Sequence, residues 1–190
     1  MVDDFMHHLI AGLVRSISPY DSLETDHLRQ TLAWIESGAP LFRIQKPATP
    51  PQHLVAYFAL FDPTHNKLLL VDHKNAGLWL PSGGHVEMDE HPHTTVVREA
   101  HEELGVAAHF WWDEPLFLTV TATVGTARPH IDVSLWYVLR GDCNISLDYD
   151  RGEFYGIAWF ALDQLPLTRS DPHLARFAAK LRTQGTQQRM

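Results

Sequence analysis

An arginine and four of the five glutamates in the segment Gly84–Val106, GHVEMDEHPHTTVVREAHEELGV, stand at short, fixed intervals. These residues are Glu90, Arg98, Glu99, Glu102 and Glu103. Carboxylate oxygens are ligands that Mg²⁺ and Mn²⁺ prefer, and magnesium keeps several waters while it binds substrate phosphates. The segment therefore predicts a divalent-metal site that acts on a phosphate.

The same segment carries signals for the helix that would present these acids. Pro92 suits a first helical turn and Gly105 suits the left-handed position just past a helix end, so we expect a helix from about His91 to Leu104. Residues three or four positions apart share a helix face. One face then carries Glu99, Glu102 and Glu103. The opposite face, directed toward a core, carries Val97, Ala100 and Leu104.

Three carboxylates on one face repel each other, so a positive charge must compensate. Arg98 lies four residues before Glu102 and can pair with it, but one guanidinium cannot neutralise three acids. The remaining negative charge suits a hard cation. A solvated acidic helix face is the alternative interpretation, but it explains neither the two glycines nor the position of Glu90.

The full pattern is G-x5-E-x7-R-E-U-x-E-E-x-G-U, where U is apolar, and it resembles the Nudix box of the Nudix hydrolases. The resemblance implies an α/β fold, namely a Nudix-type α/β/α sandwich with a mixed β-sheet, in which the box forms a loop, a helix and a loop. It also implies hydrolysis of a phosphoanhydride bond in a nucleoside diphosphate linked to another group. Mg²⁺ is the implied cofactor, and Mn²⁺ is an alternative.

The resemblance also implies roles for individual residues. The metal ligands are expected to be Glu99, Glu102 and Glu103, together with a backbone carbonyl of Gly83 or Gly84 in a sharp loop. One of these glutamates, or a glutamate from elsewhere, is expected to act as the general base.

Other positions are expected to support this site. Glu90 and Arg98 form a pair in which Arg98 orients a carboxylate rather than touching substrate. The family often recruits a further acid from a loop before a late strand, and Glu153 is the candidate, although an ordinary loop acid is an equally open interpretation. The position before Glu90 is often glycine in the family and is Asp89 here.

Composition narrows the class of protein. The chain has 190 residues, a formal net charge of −8 and an isoelectric point near 5.8, which argue against a broad nucleic-acid-binding surface but allow one small phosphate substrate. With Cys143 as the single cysteine, the chain has no disulfide framework and no cysteine-based zinc site. The thirteen histidines form no H-E-x-x-H motif, so we interpret them as surface or loop residues and do not expect zinc.

The amino-terminal sequence does not predict membrane targeting. The apolar run LIAGLV is short, and Asp3 and Asp4 precede it where a signal peptide carries positive charge. No apolar run reaches transmembrane length. We expect a cytoplasmic protein without a membrane partner.

Hydrophobic patterns indicate how the chain is organised. A helical extension is predicted over residues 1–45, a proline-rich linker over 46–52, and the Nudix domain over 52–184. In the extension, a first stripe comprises Phe5, Leu9, Gly12, Leu13 and Ile17. A second helix has Asp21 as N-cap, Glu24 three residues later, and a stripe of Leu28, Leu32 and Ile35.

In the domain, strands are predicted over residues 53–61, 67–73, 117–124, 130–139 and 154–162, with a closing helix over 170–181. The segment LWLPSGG before the box is predicted to contain a further strand and a loop. In that helix, Ser170 or Asp171 is the expected cap and Pro172 lies inside the first turn. The segment HIDVSLWYVL is predicted to alternate, with one face formed by Ile131, Val133, Leu135, Tyr137 and Leu139.

Two other functions remain open. A Nudix-fold sensor or regulatory module would bind a nucleotide without cleaving it, and the N-terminal helices are a candidate partner surface or homodimer interface. An isoprenoid diphosphate isomerase would need a catalytic cysteine, but Cys143 lies in a predicted loop, GDCN, without a recognisable context. The intact glutamates favour an enzyme over a sensor.

Overall fold

The computed structural model describes residues 2–46, 49–123 and 130–187. The helices are α1 (Val2–Ser16), α2 (Ser22–Glu36), α3 (Pro92–Leu104) and α4 (Leu174–Gln187). The strands are β1 (Gln52–Asp62), β2 (Lys67–His73), β3 (Leu78–Leu80), β4 (Ser82–His85), β5 (Phe117–Ala122), β6 (Ile131–Arg140) and β7 (Phe154–Ala161). Pro47 and Ala48 of the predicted linker, and Val124 of a predicted strand, lie outside the described residues.

The seven strands form one mixed sheet in the order β3-β2-β1-β6-β5, with β4 also paired to β1 and β7 to β2. β1 and β6 run parallel, whereas the other pairs are antiparallel. One core lies between the sheet and α1 and α3, and a second lies between the sheet and α4. The predicted sandwich of a mixed sheet between helices is confirmed.

β6 is buried on both faces, so its hydrophobic pattern differs from the predicted alternation. All residues from Val133 to Leu139 are buried, including Ser134 and Trp136, whereas Ile131 is partly exposed. A central strand covered by helices on both sides needs no polar face.

The apolar stripe of α1 is displaced from the prediction. The buried residues are Met6, Ile10, Ala11 and Val14, followed by Ile17, whereas Phe5 is 66% exposed. Leu9 and Leu13 are only partly buried against the core. Two overlapping stripes are present in this apolar sequence, and packing against the sheet selects the one that contains Ile10.

α2 begins as predicted but buries a largely polar face. Asp21 is its N-cap and accepts a hydrogen bond from Glu24 N at 2.8 Å. The buried residues of the helix are Glu24, His27, Thr31 and Ile35. Leu28 and Leu32 are only partly buried, so the predicted stripe is correct only at Ile35.

The polar face of α2 lies along the edge strand β5. Glu24 Oε1 accepts from Leu118 N at 3.3 Å, and His27 Nδ1 accepts from Val120 N at 3.4 Å. Unpaired backbone groups make an edge strand a site for unwanted strand pairing. Glu24 and His27 of α2 therefore accept hydrogen bonds from backbone N–H groups at the edge of the sheet, in β5.

The closing helix begins later than predicted. α4 starts at Leu174, so Pro172 precedes the helix rather than lying inside its first turn. Asp171 Oδ1 accepts from His173 N at 2.7 Å, which stabilises a turn ahead of the helix.

Candidate active site

Local sequence signals place α3 within one residue of the prediction. His91 is the N-cap and its ring accepts from His93 N at 3.0 Å, while Pro92 occupies the first helical position. Gly105 ends the helix with φ of 63°, in the left-handed region. Asp89 also has a positive φ, 61°, which is the conformation that favours glycine at this position.

The buried face of α3 is rotated relative to the prediction. Val96, Ala100 and Leu104 are buried at intervals of four residues, whereas Val97 is 43% exposed. The prediction that Val97 faces the core was wrong. Residues four positions apart form one buried stripe that includes Val96, and Val97 lies about 100° around the helix from it. Glu103 lies three residues after Ala100, so it belongs to the buried side and not to an outward acidic face.

Gly83 and Gly84 lie in strand β4, where the prediction had a loop. A Cβ atom added to Gly84 would lie 2.0 Å from Glu99 Oε1, so the glycine leaves room for that carboxylate against the strand. Gly83 has φ of +146°, and a Cβ there would lie 2.2 Å from Ala56 O. Close pairing of β4 with β1 therefore requires glycine at this point.

Glu103 is the most buried of the predicted metal ligands. Its Oε2 accepts hydrogen bonds from the Ser82 hydroxyl and from Gly83 N, the latter at 3.1 Å. Burial raises the pKa of Glu103 to about 8, and the charge of Glu99 adds to this rise, against the effect of the two hydrogen bonds. The protein thus holds a carboxyl group in fixed position without supplying it with a positive partner.

Arg98 connects the other acids of the segment. Its Nε and Nη2 each donate to Glu90 at 3.2 Å, and its Nη1 donates to Glu99 Oε1 at 2.6 Å. Arg98 Nη1 is also 3.5 Å from Glu102 Oε2. Although burial favours its neutral form, Glu90 has a lowered pKa because Arg98 and Thr95 donate to it.

The three predicted metal ligands differ in the solvent exposure of their side chains. Glu103 and Glu99 are largely enclosed, whereas the Glu102 side chain is 58% exposed. Burial raises the pKa of Glu99 despite its contact with Arg98. The exposed Glu153, in the loop before β7, is close enough that its charge also raises the pKa of both Glu99 and Glu103.

These groups fit a hard divalent cation. The donors are carboxylate oxygens, and the two enclosed ones, on Glu99 and Glu103, both have raised pKa values because their charged forms are poorly compensated. The single guanidinium of Arg98 is shared among Glu90, Glu99 and Glu102. Mg²⁺ or Mn²⁺ would supply the missing charge to oxygen ligands.

A second group of polar side chains was not predicted from the sequence. His53, His85, His130 and Asp132, here named the histidine cluster, offer ligand atoms that all lie within 4.8 Å of one another. His53 is fully buried, so the interpretation of the histidines as surface or loop residues was wrong at this position. The parallel pairing of His53 with Asp132 creates the cluster, and no local motif signals it.

His85 connects the cluster to the box segment. It follows Gly84, and its backbone oxygen accepts from Arg98 Nη2 at 3.4 Å. Burial, together with the positive charge of Arg43, lowers the pKa of the His85 ring to about 3. The ring is therefore neutral across the physiological range.

Cys143 lies in the turn after β6, away from the box segment. Its backbone N–H donates to Asp62 Oδ2 at 2.9 Å, at the last residue of β1. The box strand β4 instead pairs with β1 from Val55 to Phe58. This position gives no support to a catalytic cysteine at the glutamate site.

Across the described ranges 2–46, 49–123 and 130–187, the helices are too short or too polar to cross a membrane.

Comparison with known proteins supports the interpretation of the fold. A MutT NUDIX hydrolase from Burkholderia pseudomallei is 26% identical, with a TM-score of 0.52 over 67% of this chain and 95% of that chain. The NUDIX domain of Shewanella oneidensis NrtR, solved with ADP ribose, is 22% identical, with a TM-score of 0.55 over 70% of this chain and 88% of that one.

A curated relative adds a shorter match. A MutT-like protein from Streptomyces ambofaciens is 36% identical over 62 residues, which is 33% of this chain and 40% of the relative's length. A family model described as NUDIX domain matches residues 51–181, which is most of the chain. The chain therefore belongs to the NUDIX domain family.

Proposed function

We propose that this protein hydrolyses a phosphoanhydride bond in a nucleoside diphosphate linked to another group, with Mg²⁺ or Mn²⁺ as its cofactor. The observation that carries the proposal is that two enclosed carboxylates, on Glu99 and Glu103, have one guanidinium, that of Arg98, among their hydrogen-bond donors. Membership of the NUDIX domain family and the intact box support it.

The proposed metal ligands are Glu99, Glu102, Glu103 and the backbone carbonyl of Gly83. When bound, the cation supplies positive charge that polarises phosphate oxygens and activates water. The Ser82 hydroxyl and Gly83 N–H hold one oxygen of Glu103 in place, and Arg98 holds one oxygen of Glu99. These contacts orient the carboxylates before substrate arrives.

The proposed general base is Glu102 or Glu153. Both side chains are exposed, so either can accept a proton from water next to a bound phosphate. A positioned base is typically worth about 10² to 10⁴ in rate. Arg98 is a positioning residue in this scheme, because its bidentate contact with Glu90 fixes the guanidinium beside Glu99.

The proposed substrate is a small nucleoside diphosphate derivative. The NUDIX domain of Shewanella oneidensis NrtR was solved with ADP ribose, a molecule of this class. We also propose a helical extension over residues 1–45, a domain over 52–184, a cytoplasmic location and homodimer formation through the N-terminal helices.

A substrate panel tests the proposed reaction. The protein would be incubated with Mg²⁺ and nucleoside triphosphates, nucleotide sugars, dinucleoside polyphosphates or coenzyme derivatives, and released phosphate compounds would be measured. We expect turnover of at least one diphosphate derivative, abolished by a chelator. The matched controls are the double variant Glu99→Gln/Glu102→Gln, expected to be inactive, and Glu36→Gln, at the exposed last residue of α2, expected to be fully active. No turnover with Mg²⁺ or Mn²⁺ at neutral or alkaline pH would contradict the proposal.

The second candidate function is a sensor that binds a nucleotide without cleaving it. The observation in its favour is that Phe5, Tyr20 and Leu23 of the N-terminal segment are exposed, although their side chains are apolar or aromatic. Exposed residues of this kind suit contact with a partner protein or a second copy. Calorimetry that shows tight nucleotide binding with no product after prolonged incubation would favour the sensor over the enzyme.

A further inference from the structure

The histidine cluster joins residues from three separate parts of the chain. His53 is the second residue of β1, Asp132 is its partner in the parallel strand β6, and His130 immediately precedes β6. His85, at the end of β4, pairs with Val55 two residues along β1. Backbone pairing of three strands therefore brings three imidazoles and a carboxylate together.

Two buried acceptor atoms face each other in the cluster. His53 is fully buried, and its Nδ1 lies 2.9 Å from Pro50 O. A carbonyl oxygen only accepts hydrogen bonds, so Nδ1 carries the proton and Nε2 keeps its lone pair in the neutral ring. That Nε2 lies 3.4 Å from Asp132 Oδ1.

Neither of these two atoms has a hydrogen-bond partner among the described residues. Burying an unsatisfied polar atom is destabilising, and two facing acceptors add repulsion. Either a proton or a metal ion between them removes this cost.

Two separations, both measured from Asp132 Oδ1, fit a metal ion. A tetrahedral zinc ion with bonds of about 2.0 to 2.1 Å holds its ligand atoms about 3.3 to 3.4 Å apart. Asp132 Oδ1 is 3.4 Å from His53 Nε2 and 3.3 Å from His130 Nε2. These distances are long for hydrogen bonds but equal to the edge of that tetrahedron.

Neighbouring groups orient the two rings as they would for ligands. Pro50 O receives the Nδ1 proton of His53, and Thr123 Oγ1 lies 3.2 Å from His130 Nδ1. Metal-binding histidines almost always donate their second ring N–H to a carboxylate, a backbone carbonyl or water, as His53 does to Pro50 O. The Thr123 hydroxyl, which can donate or accept, holds the position of the His130 ring.

We propose that the histidine cluster is a transition-metal site, with Zn²⁺ as the preferred ion. The ligands are His53 Nε2, His130 Nε2 and Asp132 Oδ1, with His85 or a water in the fourth position. Imidazole nitrogens suit zinc rather than magnesium, which separates this site from the oxygen donors of the box segment. Arg43 Nη1, 3.1 Å from His85 Nε2, competes with the ion for that ring.

Cobalt substitution tests the site, because tetrahedral Co²⁺ absorbs visible light strongly and Co²⁺ in an octahedral oxygen site absorbs weakly. The full chain would be treated with chelator and titrated with Co²⁺, then with Zn²⁺. We expect an intense visible band that saturates at about one ion per chain and is removed by Zn²⁺. The band should persist in Glu99→Gln/Glu102→Gln, which disables the box.

Variants identify the ligands. Asp132→Asn and His130→Gln are each expected to weaken Zn²⁺ binding by more than about 100-fold, with circular dichroism used to verify folding. Arg43→Met is expected to bind at least as tightly as the unmodified chain. Absence of the intense band, its persistence in both ligand variants, or weaker binding in Arg43→Met would overturn the assignment and leave a protonated histidine–aspartate pair.

Discussion

Glu24 and Glu103 are two of the buried carboxylates of this protein, and their partners differ. Glu24 is fully buried between α2 and the sheet, where it accepts from the Lys180 ammonium at 2.8 Å and from two backbone N–H groups. Glu103 is also buried, but its hydrogen bonds come from a neutral hydroxyl and a neutral N–H. Only the first carboxylate has a cation of its own.

We interpret this difference as one between a structural carboxylate, Glu24, and a proposed metal ligand, Glu103. At Glu24, the protein supplies the compensating charge from α4, so the pair needs no ligand and joins the N-terminal helices to the domain. At the box segment, Arg98 is shared among three acids and Glu103 has no cation among its hydrogen-bond donors. Carboxyl groups with a strongly raised pKa cluster at functional sites, which supports the metal site proposed at Glu103.

The largest expected effect lies in activity at the box. Glu102→Gln is expected to lower turnover about 10²- to 10⁴-fold because it removes a ligand or the general base. The side chain is exposed, so the free energy of unfolding should change by less than about 0.5 kcal/mol. Steady-state kinetics and urea denaturation measure the two effects. Unchanged turnover would remove Glu102 from the proposed site.

The second prediction concerns the buried pair of Glu24 and Lys180, where we expect a loss of stability and not a loss of turnover. Lys180→Met leaves Glu24 buried without a cation, which is expected to cost about 3 to 5 kcal/mol of unfolding free energy. Urea denaturation measures the loss, with Lys46→Met, at an exposed lysine, as the control. Adding Glu24→Gln should recover part of the stability. Equal stability of Lys180→Met and the control would show that the pair is not structurally important.

A third prediction concerns the space that Gly84 leaves for Glu99. In Gly84→Ala the new Cβ would meet Glu99 Oε1 at 2.0 Å, so the carboxylate must move away from β4. We expect turnover to fall by about 10-fold or more, as for other small displacements of catalytic groups. Gly12→Ala in α1 is the matched control, because nothing lies within 4 Å of its added Cβ. If Gly84→Ala has unaltered kinetics, the position of Glu99 is not critical.

The smallest expected effect is a pH dependence of the metal-free protein. The pKa of Glu103 is raised from 4.5 to about 8, so the folded state binds more protons than the unfolded state between these values. This contribution to stability is fully present below about pH 4.5 and is lost as the pH rises through about 8. In chelator, the melting temperature should therefore fall over this range, and the fall should be smaller in Glu103→Gln. An identical slope in both proteins would contradict the raised pKa.

The features that could be predicted from the sequence are those set by local signals, such as the residues that begin and end a helix. Helix α3 was located to within one residue because Pro92 and Gly105 act through their own backbone conformation. The N-cap at Asp21 was predicted for the same reason. Where two apolar stripes overlap, as at Val96 and Val97, the sequence does not determine which one faces the sheet.

The sequence by itself determined the family, the box and the pairing of Glu90 with Arg98, because these depend on residue types at short, fixed spacings. Only the tertiary structure decided that Glu103 is buried while Glu102 is exposed, since that depends on which side of α3 packs against β4. It also brought Glu24 to Lys180 and His53 to Asp132, residues far apart in the chain. Contacts of this kind follow from strand pairing and helix packing, which leave no periodic signal in the sequence.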